Sequence, residues 1–232
     1  MVHDNALSEQ LQAGIGDQIL TTTHLSVHDV TDDRIPFEYR TIRGNKPEKY
    51  DNTVFVWQVS QPAIPCGTPP LKEWDVRGDS ENGGSVFDGL DVVHNSYLLG
   101  YAVGPDPKNA CAVVFVPAKG GSDPLVVSPM VTMTWCLPKR VYFDYVLPVG
   151  SRPDEDRDWV GFWKDQISAN LYVAPPDWFV PVRSHEAKGD GFLDNIPLEQ
   201  GHFYTLGYFK GGHRDYNPIQ TTLACATTMR YW

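Results

Sequence analysis

Paired-cysteine motifs, nucleotide-binding loops and long apolar runs are all missing from this chain, and each absence removes a class of function. The four cysteines, Cys66, Cys111, Cys136 and Cys225, contain no C-x-x-C pair, which excludes a zinc ribbon. No stretch approaches the ~18 apolar residues of a transmembrane helix, so no membrane span is expected. The opening MVHDNALSEQLQAGIGDQIL has neither a basic n-region nor an apolar h-region. No secretory signal is therefore expected, the location is read as cytoplasmic, and the cysteines are expected to be free buried thiols. There is no G-x-S-x-G, no P-loop, no G-x-G-x-x-G and no H-E-x-x-H, so no cofactor and no metal are expected. Basic residues are scarce as well. Lys and Arg number 19 against 29 Asp and Glu, and the formal charge of −10 disfavours phosphate backbones, so no nucleic acid partner is expected.

Aromatic residues, by contrast, are plentiful. Seven Trp, eleven Tyr and ten Phe stand among 232 residues, enough chain for one large domain or two small ones. Period-two alternation dominates. In VYFDYVL, Val141, Phe143 and Tyr145 share one face; in IPFEYR, Ile35, Phe37 and Tyr39 do. Gly/Pro/Asn/Asp clusters such as RGNKPEKYDN and GSRPDEDRD separate these runs. Short strands punctuated in this way predict an all-β sandwich. LSEQLQAG, residues 7–14, is the best helix candidate, and it is short.

The chain also repeats. Residues 25–58 lie over residues 131–164 at an offset of 106 without a gap, with seven identical positions. These are Arg34/Arg140, Phe37/Phe143, Tyr39/Tyr145, Gly44/Gly150, Pro47/Pro153, Val54/Val160 and Trp57/Trp163. One inserted residue then brings YLLGYAVG onto YTLGYFKG, and Cys111 and Cys225 fall near equivalent points. The predicted organisation is an N-terminal segment (1–18), a first β-sandwich (19–117), a Gly-rich linker (118–124) and a second β-sandwich (125–232). The fold expected is two tandem immunoglobulin-like antiparallel β-sandwich domains related by an internal repeat. Val54 with Val56, and Val160 with Phe162, fall on one face of their strands; Trp57 and Trp163 fall on the other, and are read as core.

The second copy carries Asp158-Trp159-Val160-Gly161-Phe162-Trp163 and, further on, Tyr204, Leu206 and Tyr208. On the first run, and loosely on the second, it resembles the SKICH-type domain of autophagy receptors and phosphoinositide phosphatases. The resemblance covers about 80 residues and implies an immunoglobulin-like sandwich; it is a fold signature and says little about function. The first copy has Asn52-Thr53-Val54-Phe55 where D-W-V-G would stand.

Candidate chemistry is sparse. Asp154, Glu155, Asp156 and Asp158 crowd one stretch that reads as a solvated loop, since it lacks the internal glycine of a calcium loop. Trp74 with Arg77, and Trp178 with Arg183, recur in corresponding segments, and His185 follows in the second as a further binding candidate; Trp and Arg are enriched at binding hot spots. Edge-strand packing is the simpler reading of the two tryptophans. The expected function is a non-catalytic binding protein recognising a protein, glycan or small-molecule ligand through loops or the inter-domain cleft. The alternative is a small enzyme at the interface of the two sandwiches, using His185, His202, His213, Asp190, Asp194 and Asp215 of the second copy.

Overall fold

Alternating β-branched and aromatic residues need a sheet with something packed on it, and nearly every such run is a strand. The computed structural model describes residues 15–137 and 139–232; the helix candidate at 7–14 lies outside them. Its strands in chain order are β1 (Ile15–Thr22), β2 (His24–Val27), β3 (Arg34–Arg40), β4 (Thr53–Gln58), β5 (Lys72–Asp75), β6 (Asn82–Asp88), β7 (Tyr97–Ala102) and β8 (Ala110–Val116). There follow β9 (Leu125–Val127), β10 (Met130–Leu137), β11 (Lys139–Val146), β12 (Trp159–Lys164), β13 (Trp178–Pro181), β14 (Lys188–Ile196), β15 (Phe203–Phe209) and β16 (Leu223–Tyr231).

The strands form four antiparallel sheets, so the fold is an all-β sandwich. In the first half β2-β3-β6 packs on β5-β4-β7-β8-β9, and in the second β10-β11-β14 packs on β1-β16-β15-β12-β13. Pairing registers agree between the halves. Arg34 lies opposite Asp88 and Arg140 opposite Asp194; Val54 lies opposite Tyr101 and Val160 opposite Tyr208.

β4 and β12 are buried on both faces, as the doubled hydrophobicity of TVFVW and WVGFW requires. Val54 and Val56 enter one core with Ile35, Phe37 and Leu25. Val160 and Phe162 enter another with Val141, Phe143 and Met229. Trp57 and Trp163 point the opposite way, and each is closed over by a loop. The Trp57 indole donates to the Thr68 carbonyl at 3.3 Å; the Trp163 indole donates to the Ala174 carbonyl at 2.8 Å.

The sheets do not follow the division expected from the sequence. β1 begins inside the stretch assigned to an N-terminal segment and pairs with β16, the last strand of the second half. β9 follows the Gly-rich linker, yet it pairs with β8, the last strand of the first half. Each half's leading strand therefore completes the other half's sheet. The two crossing connections touch: Thr22 Oγ1 donates to the Pro129 carbonyl at 2.6 Å, and His24 Nδ1 lies 3.0 Å from Ser128 Oγ.

Loops lock the halves together as well. Gly44 and Gly150 both have positive φ, 94° and 93°, which favours glycine in itself. Each also presses on the opposite half. A side chain at Gly44 would strike the Ala169 carbonyl, and one at Gly150 the Ile64 carbonyl. Ile42, next to the first of these turns, is buried among Trp159, Trp163, Leu171 and Phe209 of the second half.

Candidate functional site

Of the five residues singled out from the sequence, the two tryptophans lie on edge strands and Arg77, Arg183 and His185 follow those strands in the chain. Trp74, on edge strand β5, is half-buried; its ring meets Phe37 edge-on at 5.5 Å. Trp178, on edge strand β13, packs against Phe162 at 6.1 Å. Arg77, Arg183 and His185 are exposed, and His185 Nδ1 lies 3.0 Å from Asp154 Oδ1. Both tryptophans thus spend one face on their own sandwich.

A different aromatic group is presented to solvent. On the outer face of β10-β11-β14, Trp135 lies opposite Tyr142, and Tyr142 lies opposite Phe192, so one row of three aromatics crosses all three strands. Trp135 is 42% and Phe192 46% exposed. A bulge in β10 between Met133 and Trp135 turns the tryptophan outward; without it the alternation would shift. One step along the strands runs a second row, Thr132, Asp144 and Asp190. Arg140 closes the other end. Its guanidinium is 4.5 Å from the Phe192 ring centre and is paired to Asp194. The hydrogen bonds it donates to Asp194 and to the Tyr142 hydroxyl oxygen hold its pKa above the usual arginine range. Between the rows is a groove of about 480 Å³, lined by Trp135, Leu137, Tyr142, Asp144 and Asp190.

The same face of the first half is built differently. Ser26, Glu38 and Gly84 form the polar row, and Pro36 lies opposite Val86 where the second half has Tyr142 opposite Phe192. The flanking ion pair is retained as Arg34 with Asp88, at 3.0 Å.

A cleft of about 440 Å³ separates the two halves, lined among others by Tyr50, Asp51, Asn109, Asp156, Arg157 and His213. Beneath it lies a charge cluster whose central pair has no solvent access. Lys210 and Asp158 are both fully buried, and Lys210 Nζ is 2.9 Å from Asp158 Oδ2 and 3.2 Å from Asp156 Oδ2. Tyr208 donates its hydroxyl to Asp158 Oδ2 at 2.9 Å, and the Gly211 N–H donates to Oδ1 at 2.6 Å. Burial pushes the Asp158 carboxyl up, against the pull of Lys210. Burial works to strip the Lys210 proton, but Asp158 and Asp156 outweigh it and hold the amine above its ordinary value. The acidic stretch 154–158 is therefore no uniform solvated loop. Asp154 is exposed and paired to His185, whereas Asp158 is core. Its carboxylate lies beside the ammonium of Lys210 because β12 and β15 are neighbours: Trp159 pairs with Phe209, placing their flanking residues together.

The ionisable groups of the alternative enzyme reading have separate partners. His185 pairs with Asp154, His202 with Asp165 at 2.7 Å, and Asp194 with Arg140. Asp190 lies opposite Asp144 in the sheet, and the ring of His213 is 6.1 Å from that of Phe179. Among the described residues no group of three or more His, Cys, Asp or Glu is placed to hold a metal ion. Cys111, Cys136 and Cys225 are buried free thiols, and Cys66 is an exposed one. Burial pushes Cys111 and Cys136 up to about 12. Cys111 and Cys225 stand one residue out of register, since Val113 is opposite Gly100 and Ala226 opposite Gly207. Among the described residues, no helix is long and apolar enough to cross a membrane.

No family model and no curated protein matches the sequence. Among solved structures, the chain is similar to the crystal structure of Salmonella alpha-2-macroglobulin reacted with methylamine. The identity is 9% and the TM-score 0.26, over 92% of this chain. The chain spans 16% of the length of that protein.

Proposed function

We propose that the chain is a carbohydrate-binding protein whose ligand lies on the outer face of β10-β11-β14. Its framework is two copies of one immunoglobulin-like sandwich that exchange their leading strands. The observation that carries this reading is the cross-strand row of Trp135, Tyr142 and Phe192, exposed at its two ends and half-buried at Tyr142, beside the carboxylates of Asp144 and Asp190. Aromatic rings bury the C–H faces of sugar rings, and carboxylates accept hydrogen bonds from their hydroxyls. Exposed aromatics are not needed for folding, because a sheet face turned to water is stable with polar residues. The counterpart face, with Pro36 and Val86, folds without them. Two exposed carboxylates side by side favour neutral sugars over anionic ones.

The test is calorimetric titration with neutral oligosaccharides: cello-, manno-, xylo- and chito-oligomers. At least one should bind, and Trp135→Ala should weaken it by about tenfold or more, the scale of a hot-spot truncation, with an unchanged melting temperature. Trp178→Ala should instead lower the melting temperature and leave affinity intact. The reading is lost if no oligomer binds at millimolar concentration, or if Trp135→Ala binds as tightly as the parent.

A further inference from the structure

We propose that Lys210 and Asp158 condense into an intramolecular amide, a covalent link between the end of β15 and the start of β12. Nothing in the carbohydrate reading uses this pair. Four groups meet there in the arrangement an acyl transfer needs. The nucleophile is Lys210 Nζ, 2.9 Å from a carboxyl oxygen of Asp158. The electrophile is the Asp158 carboxyl carbon. The Gly211 N–H, 2.6 Å from Oδ1, faces the oxygen on which charge develops. Asp156 lies 3.2 Å from the amine and is 16% exposed, so it can carry protons while the pair itself stays dry.

The chemistry balances without any further reagent. Asp156 takes one proton from the ammonium and hands it to Oδ2 of Asp158, so that a neutral amine with a free lone pair faces a neutral carboxyl. Nζ attacks the carboxyl carbon, forming the C–N bond and placing negative charge on Oδ1 under the Gly211 N–H. The bond from carbon to Oδ2 then breaks. Both protons lost from nitrogen end on that oxygen, one handed over by Asp156 before the attack and one relayed through the Tyr208 hydroxyl, which recovers its own. The products are one amide and one water. Nothing is oxidised or reduced.

Burial favours this outcome in two ways. Two charges held out of water are costly, and the neutral amide removes both. The site is closed to solvent, so the bond, once made, is protected from hydrolysis. The reaction occurs once per chain, so a slow step is sufficient, provided the reacting atoms stay in contact. The first half has no such capacity, since Asn52 and Val103 stand where Asp158 and Lys210 are.

The test is intact mass of the full chain, denatured and reduced, followed by peptide mapping. The expected mass is that of the sequence less one water, with a branched peptide joining the segments that carry Lys210 and Asp158. A mass equal to the sequence, or a missing water that maps elsewhere, overturns the proposal. Freshly made Asp156→Asn protein should keep its full mass longer than the parent; linkage at the parental rate overturns the assignment to this cluster.

Discussion

Tyr101 and Tyr208 occupy the same place in the two halves and make the same hydrogen bond with opposite consequences. In the first half Tyr101 donates to Asn52 Oδ1 at 2.9 Å, Asn45 donates to the same oxygen at 2.8 Å, and the set is neutral. In the second half the acceptor is the Asp158 carboxylate, and Lys210 stands where the first half has Val103. The two sets hold the same junction of strands, so charge is not required for the fold. A buried ion pair is weak evidence for stability, since hydrophobic replacements of similar volume often do as well. The halves differ in the same sense on their outer faces, where the first is plain and the second carries aromatics and paired carboxylates. One half retains the frame, and the other concentrates unusual chemistry.

The largest effect that would break this comparison comes from removing one partner of the ion pair. Lys210→Ala leaves Asp158 buried without its amine partner and without the proposed link, and should cost at least about 3–5 kcal/mol against the parent in urea unfolding. Copying the first half, with Asp158→Asn and Lys210→Val together, should cost clearly less than the single change. If the single variant unfolds with the parent, the cluster contributes nothing and the contrast between halves is empty.

How much of this was legible in the sequence depends on how far apart the interacting residues lie. Trp57 and Trp163 were readable as core because period two places them opposite Val54 and Val160 within one strand. The identity of Gly44 and Gly150 was visible, but not that each presses on the other half. Asp158 read as part of an acidic loop because Lys210 is far along the chain and only the pairing of β12 with β15 unites them. Trp135, Tyr142 and Phe192 come from three strands, and a bulge sets the first outward, so no local pattern joins them. The strand exchange had no local signal either: β1 and β9 have the same alternation whichever sheet receives them.

A middle-sized effect tests the outer faces of β4 and β12. Phe55 packs on Trp57 at 5.7 Å, whereas the equivalent residue is Gly161, flanked by Trp159 and Trp163. The second half exchanges one phenylalanine for room to stack Trp159 on Phe209, with ring centres 3.9 Å apart. A methyl group at Gly161 would lie 2.6 Å from Cζ3 of Trp163 and 2.8 Å from that of Trp159. Gly161→Ala should therefore destabilise by about 1–3 kcal/mol, the cost of overpacking a filled core. Unfolding in urea measures it. An alanine tolerated without loss would mean that the two tryptophans can move apart, and that the size difference at this position is incidental.

The smallest effect concerns the loops that follow Tyr101 and Tyr208. Five residues on, the first half has Asp106 and the second has His213. Burial holds His213 below its ordinary value of 6.5, and the positive charges of Arg157 and Arg183 add to this against Asp215. The folded state therefore takes up this proton less readily than the unfolded state. With the folded value depressed, the stability contributed by neutral His213 is fully present above the unfolded pKa near 6.5. It is lost as the pH falls through that value toward the lower folded one. Melting temperature should accordingly decline slightly from pH 7 to pH 5.5, with the loss levelling off below the folded value. His213→Asn should flatten the decline over that window. A parent curve that stays flat there, or a variant curve that declines in parallel, would show that His213 is solvated enough to titrate alike in both states, and that the two loops do not differ in this respect.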